Sequence, residues 1–473
     1  MRWKEIAEAL VGLLHAIYTS LYVDVYLRQH VLPNASHWSA GGVDHILLCL
    51  TFAQLLYALW FWKITLSLGR HVDLPASSPF CRRLAGIASS GPVLASSFVL
   101  LWLPAGAFPL NPALLFTATE VLYEASFTHC KNMLNKCKRN EMREPGRYHR
   151  TFKVDLLSAI AVMAACSLCA STRELRAFRW FMATLATGAG VGIYICGRQL
   201  ERQRERQEAS VGGQMNASVA GVQTDVARSI HQTTSRVSMK AAMLLFALNG
   251  YCSVTTVALF NFMIVAVANS FTRLFERSLL LLLVFLLPHA IHTAVAPLCS
   301  LLGKRRLMSI FLAAQAAVGM LFLIVALLNR HFTDYISTAT LSATFVFLLV
   351  LNHTLNNMVN WMQKLVFTDI VDEDTAIFSR PQPAKGALQQ ILRTISKSFR
   401  GLALVLTCSY LSFVARGESL KMDDAASVVG WPTLLMSVVT LWSWRRYYNL
   451  EGFHLQFVRA AARQRQSISG RVV

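Results

Sequence analysis

The chain has 473 residues, a mean hydropathy of +0.44, 54% hydrophobic residues and only 15% charged ones. A soluble domain carries nearer a quarter charged residues, so this composition excludes an ordinary soluble protein and points to a polytopic membrane protein. The formal net charge of +20 invites a nucleic-acid partner. The basic residues gather at the ends of apolar runs, however, so membrane topology accounts for them and no nucleic-acid partner is expected.

Roughly 20 apolar residues cross the hydrocarbon core as a helix. That length picks out spans near 6–27, 43–66, 84–106, 112–131, 152–170 and 178–198, and again near 241–268, 277–302, 307–329, 336–363, 386–414 and 426–444. The expected architecture is an all-α polytopic membrane protein of twelve transmembrane helices in two six-helix bundles, both termini cytoplasmic. Its parts are an N-terminal bundle (1–198), a central cytoplasmic loop (199–240), a C-terminal bundle (241–446) and a basic cytoplasmic tail (447–473). The central loop begins basic and turns polar and Gly/Ser-containing, which reads as a short surface helix followed by a flexible linker. Counting Lys and Arg tests the arrangement. The even-numbered connections and the tails hold roughly 32 and the opposite-side loops roughly 9, and a missed or invented helix would scramble that alternation.

Gly69-Arg70 with Arg82-Arg83 follows the second span, and Gly303-Lys304-Arg305-Arg306 follows the eighth. These short basic turns occupy equivalent places in the two halves, and the six-plus-six layout resembles the major facilitator superfamily, in which two bundles enclose a central path. Asn34-Ala35-Ser36 is a glycosylation sequon in the first external loop. Asn216 and Asn352 also head sequons, but one is expected in the cytoplasmic loop and the other inside a span.

Polar groups inside spans need a partner, a bundle interior or a water path. The first span carries Glu8, His15 and Asp24. The fourth carries Glu120 and Glu124, four residues apart and so on one helix face. Two carboxylates so placed raise each other's pKa, which suits proton coupling; a structural pair bonded to neighbouring helices is the alternative. The eighth has Pro288-His289 and His292, expected as a kink with a packed histidine. The tenth has Asn352, His353, Asn356, Asn357 and Asn360 at spacings of three and four. That stripe either lines a hydrophilic path, the favoured reading, or joins helices. Lys397 is a cation inside the eleventh, which also carries Arg393 and Arg400. Cys166 and Cys169 form a C-x-x-C inside an apolar helix, where thiols are packing groups. The Gly-rich run at 188–192 fits close helix contact. No hydrolytic triad, phosphate-cradling loop or metal-ligand spacing occurs, so no enzyme activity, cofactor or metal is expected.

The stretch Thr368-Asp369-Ile370-Val371-Asp372, with Lys397 downstream and Leu21-Tyr22-Val23-Asp24-Val25 at the end of the first span, resembles the cation-coupled glycoside–pentoside–hexuronide symporters. Within that branch, Thr368 to Asp374 resembles most the T-D-L-V-D-E-D pattern of the animal transmembrane protein 180 group. Gly91 to Ala95, Trp102 to Pro104, Phe178-Arg179, Gly190 to Gly192 and Pro288-His289 add to that likeness. The resemblance implies a transporter fold and places Glu124, Phe127, Arg150 and Lys397 where the symporters hold substrate or ion. Two positions depart from it. Thr128 stands where those transporters stack a Trp on sugar, and Leu59-Trp60-Phe61-Trp62-Lys63 stands where they bind cation.

The resulting expectation is a secondary transporter moving a small solute by alternating access, with a proton or another cation as candidate co-substrate and the lipid bilayer as its setting. Glu120, Glu124, Arg150, Asn356 and Lys397 would face the path. Asp369 and Asp372 would pair with Arg70 and Arg305 of the basic turns as a cytoplasmic gate. A lipid or lysolipid transporter of the same fold, and a transport-inactive scaffold or receptor, are the competing readings.

Overall fold

A computed structural model describes residues 2–26, 86–103, 112–136, 147–171, 175–210, 235–260, 263–264, 274–332, 335–378, 385–414 and 421–469. These are almost entirely helical, as apolar segments must be where the membrane offers the backbone no hydrogen-bond partner. In chain order the helices are α1 (Arg2–Tyr26), α2 (Ile87–Leu100), α3 (Pro112–Lys136), α4 (Arg147–Ser171), α5 (Arg176–Ser210) and α6 (Val237–Ser253). Helix α6 runs into a π-helical turn at Val254–Ala258. Then come α7 (Leu274–Leu302), α8 (Lys304–His331), α9 (Thr338–Phe378), α10 (Lys385–Val414), α11 (Met422–Tyr447) and α12 (Gly452–Ser469). Six helical stretches among the described residues are long and apolar enough to cross a membrane, in α5, α6, α7, α8, α9 and α11. The second expected span, Arg70 and Asn34 lie outside the described residues.

Several boundaries differ from expectation. The basic run after the sixth span is no separate surface helix: it continues α5 to Ser210. Pro288 and Pro297 sit inside a helix assigned without interruption from Leu274 to Leu302. The acidic stretch expected as a turn is helical, since α9 extends to Phe378. At 1.5 Å per residue its 41 residues make roughly 60 Å, about twice the hydrocarbon thickness. The tail contains a further helix, α12.

The described helices fall into two compact units. One holds α1 to α5 and residues 274–286; the other holds α6, residues 287–302 and α8 to α12, so the division falls within α7, between Leu286 and Leu287. The interior of the first is built from Leu14, Ile17, Phe98, Tyr123, Phe178 and Met182. That of the second includes Met308, Met362, Val366, Ile370 and Trp444.

Inside each unit the helices pair in the same pattern. In the first, α1 packs on α3, α4 and α5, α2 packs on α3 and α5, and α4 touches α5. In the second, α6 packs on α9, α10 and α11, α8 packs on α9 and α11, and α10 touches α11. The tightest seams carry glycine. A Cβ on Gly190 would lie 2.6 Å from the Ala95 Cβ between α5 and α2, and one on Gly319 would lie 2.6 Å from the Leu434 backbone nitrogen between α8 and α11. Small residues let helix backbones approach in this way.

Candidate functional site

In the first unit, α3 lays a row of polar and aromatic groups against α1. The Tyr18 hydroxyl donates to Glu120 Oε1 at 3.1 Å, and the Tyr22 and Thr119 hydroxyls bond at 3.1 Å. His15 stacks flat on Phe127 with centroids 3.9 Å apart, Tyr18 and Tyr123 rings meet at 4.5 Å, and Lys131 Nζ lies 5.1 Å from the Phe127 centroid. Glu124 is buried one turn beyond Glu120. The i,i+4 spacing seen in the sequence therefore aims both carboxylates into a helix interface rather than toward lipid. Arg150 lies on the first turn of α4; its side chain, like that of Asp24, is outside the described set.

In the second unit the asparagine stripe joins helices. His353 Nδ1 lies 2.7 Å from the Thr256 carbonyl in the π-helical turn, and the Asn356 amide donates to Thr256 Oγ1 at 3.1 Å. Asn352 donates to Thr433 on α11, Asn249 on α6 donates to Asn360, and Gln363 donates to the Leu245 carbonyl at 3.2 Å. Asn356 is thus buried, with its amide held by the π-helical extension of α6. Beside the stripe is a cavity of about 10 Å³ whose polar lining is Asn249, Gln315, Ser437 and Thr440. It has room for one water molecule and not for a solute. Among the described residues, Gln315 Nε2 and Ser437 Oγ have no hydrogen-bond partner. Lys397 is half-buried on α10, adjacent to Ser396, whose carbonyl meets Gly250 where α10 crosses α6. His292 packs edge-on to Trp361 with centroids 4.5 Å apart.

The last turns of α9 carry an ionic cluster. Asp369 is completely buried. Its Oδ2 accepts from Lys304 Nζ at 2.7 Å and the Tyr448 hydroxyl at 3.3 Å, and its Oδ1 accepts from Arg459 at 2.7 Å. Lys304 also donates to the Leu365 carbonyl, filling a second ammonium hydrogen-bonding position. One turn on, Glu373 forms an ion pair with Arg236 at 2.5 Å and accepts from the Ser238 hydroxyl at 2.5 Å, and Arg236 lies 3.7 Å from Asp374. The N-terminal ends of α6 and α8, the end of α9, the α11–α12 link and α12 are tied together by these contacts. Burial, and next the Asp369 carboxylate, push the Tyr448 phenol above its ordinary pKa.

Sequence placed Arg305 opposite the acidic stretch; the structure puts Lys304 there. The Arg305 guanidinium instead donates to the Arg445 carbonyl, and its own carbonyl accepts from the Trp444 indole. Gly303, with φ 79°, turns the chain into α8 so that Lys304 points at α9. Asp372 is half-buried beside this cluster. Sequence reasoning did not single out Arg236, Ser238, Tyr448 or Arg459 for the cluster, and the only signal for them was their position next to spans. Among the described residues, no group of three or more His, Cys, Asp or Glu side chains is arranged to hold a metal.

No family model matches the chain. Transmembrane protein 180 of Mus musculus is 22% identical over 452 residues, spanning 89% of this chain and 82% of that protein. Among solved structures, a D-xylose–proton symporter superposes with a TM-score of 0.60 at 12% identity over 95% of this chain and 97% of that one. The nucleoside transporter NupG gives 0.56 at 10% identity over 94% and 100%. A bacterial homologue of the iron transporter ferroportin, outward-facing, gives 0.53 at 13% over 93% and 99%. The chain has the major facilitator fold. The chain is a multi-pass integral membrane protein, and its sequence is similar to that of transmembrane protein 180.

Proposed function

We propose that this facilitator-fold protein is a twelve-helix secondary transporter with both termini cytoplasmic, moving a small solute by alternating access. The observation that carries the reading is the α1–α3 interface, where Glu120 and a buried Glu124 stand among Tyr18, Tyr123 and Phe127 inside a membrane unit. Carboxylates are kept at such depth where a cation or proton is handled. Aromatic faces next to them suit a polar solute with an apolar side. In this reading Glu120, Glu124 and Arg150 serve the solute or coupling ion from one half, and Lys397 with Asn356 from the other. The Lys304–Asp369–Arg459 cluster, with Asp372 nearby and Arg70 as the equivalent basic turn of the first half, closes the cytoplasmic side.

The test is a thermal-shift panel of pentoses, hexoses, nucleosides and lysophospholipids on purified protein, since a ligand bound only by the folded state raises the melting point. Uptake of the hit into proteoliposomes, with and without a pH gradient, follows. Lys397→Ala should abolish uptake while leaving the folded yield unchanged; undiminished uptake would remove Lys397 from the path. A transport-inactive scaffold is the second reading, favoured by the asparagine stripe being engaged in helix–helix hydrogen bonds. Silence across the panel and in every uptake assay would support it.

A further inference from the structure

Helix α12 presents two different sides. On one, Val458 and Ala462 are buried, Leu455 is half-buried, and Arg459 reaches back to Asp369, so that side is seated on α9. On the other, Phe453 and Phe457 stand one turn apart at 84% and 64% exposure. Ala460 and Gln464, also exposed, continue the same row. Single exposed apolar residues are ordinary. Two bare phenyl rings aligned on an otherwise well-seated helix are a surface built for contact.

The surroundings say with what. Helix α12 starts at Gly452, whose φ of 57° turns the chain only five positions after Tyr447, the end of a helix apolar enough to span the membrane. The last turns of α11 expose Trp442 and Tyr447, with the Arg446 guanidinium over both rings at 5.6 and 5.9 Å. Exposed Trp and Tyr at the end of a spanning helix mark the headgroup level of the bilayer. A five-position link and the Arg459–Asp369 bond keep α12 close to that level. Arg306 in the first turn of α8 and Arg445 and Arg446 at the end of α11 are exposed, and the α12 sequence itself contains Arg463 and Arg465. An apolar row flanked by cations complements an anionic leaflet, which takes the rings at the headgroup–acyl boundary and the guanidiniums at its phosphates.

We propose that α12 is an interfacial helix that binds anionic phospholipid, with Phe453 and Phe457 inserted at the membrane surface. The proposal concerns the helix outside the solute path and stands whether or not the protein transports.

The full-length protein, with native cysteines replaced, is reconstituted in nanodiscs of phosphatidylcholine alone or mixed with phosphatidylserine. A nitroxide is placed at position 453, 456 or 457, and its collisions with oxygen and with a water-soluble nickel chelate are compared. Oxygen should be favoured several-fold at 453 and 457 relative to 456, more so with phosphatidylserine. Nickel favoured equally at all three sites would put the helix in water and overturn the proposal. Exclusion of both reagents from 453 and 457 would overturn it too, by showing that protein covers the rings. The unmodified protein is then labelled with photoreactive lipids. The peptide bearing Phe453 and Phe457 should react more with the serine than with the choline lipid, and equal labelling would overturn the anionic preference.

Discussion

Asp369 lies wholly out of water with both carboxylate oxygens occupied, so its contribution depends on keeping its cations. Removing one member of a buried pair costs about 3–5 kcal/mol, because a charge is left stranded, whereas replacing the whole group by apolar side chains of similar volume is often neutral. Asp369→Asn is therefore expected to lower the melting temperature strongly. Combining Asp369→Leu with Lys304→Met and Arg459→Leu should recover most of the loss; a triple variant no better than the single one would show that the ions, not their mutual compensation, hold the site. Lys304→Ala should destabilise more than Arg459→Ala, since the lysine side chain is 19% exposed and the arginine 38%. Only the Arg459 contribution should fade as salt is raised. Tyr448 titrates above its ordinary value. Its stabilisation is fully present below the unfolded tyrosine pKa of about 10 and declines only above that pH. Stability from pH 6 to 9 should thus be the same slope for the wild type and for Tyr448→Phe, with the variant lower by about 1 kcal/mol for one hydrogen bond.

At the scale of elements, glycine separates positions that set helix spacing from positions that do not. A Cβ on Gly319 would meet the Leu434 backbone, which cannot move aside, while one on Gly188 would meet nothing within 4 Å. Gly319→Ala should destabilise and Gly319→Val should sharply reduce folded yield. Gly188→Ala should be neutral or raise the melting point, since alanine is favoured over glycine in a helix by about 1 kcal/mol. The existence of the described membrane helices could be read from apolar length alone. The end of α9 could not. Asp369, Asp372, Glu373 and Asp374 are residues that solvent-facing turns use, and three of them, Asp369, Glu373 and Asp374, meet Arg236, Lys304 and Arg459, partners 65 to 138 positions away whose approach no local pattern announces. Lys304 and Arg305 are neighbours in one basic run, so which of them faces α9 depends on the turn at Gly303 and not on composition. Helix α12 was hidden by its polarity, because its buried side is a seat on α9.

At the scale of the molecule, one pairing pattern recurs in both units. The α2–α5 and α1–α4 contacts in one unit reappear as α8–α11 and α6–α10 in the other. The two units differ where chemistry would sit. Helix α3 carries Glu120 and Glu124 in its middle, and α9 carries amides there and acids at its end. A transporter built on this plan should lose uptake on Glu124→Gln without losing folded protein, whereas Asn356→Ala should lower stability first, as its amide bonds Thr256; the reverse pattern, read from uptake and melting on the same preparations, would exchange their assignments. The length of α9 has a mechanical consequence. Asn356 and Asp369 lie on one uninterrupted helix, thirteen positions and so roughly 20 Å apart. A tilt of roughly 10° about the amide stripe would sweep Asp369 through about 3 Å by that same rise per residue, which exceeds what a 2.7 Å ion pair tolerates. A small rotation of α9 at the amide stripe would thus be enough to unfasten the ion pairs at its far end.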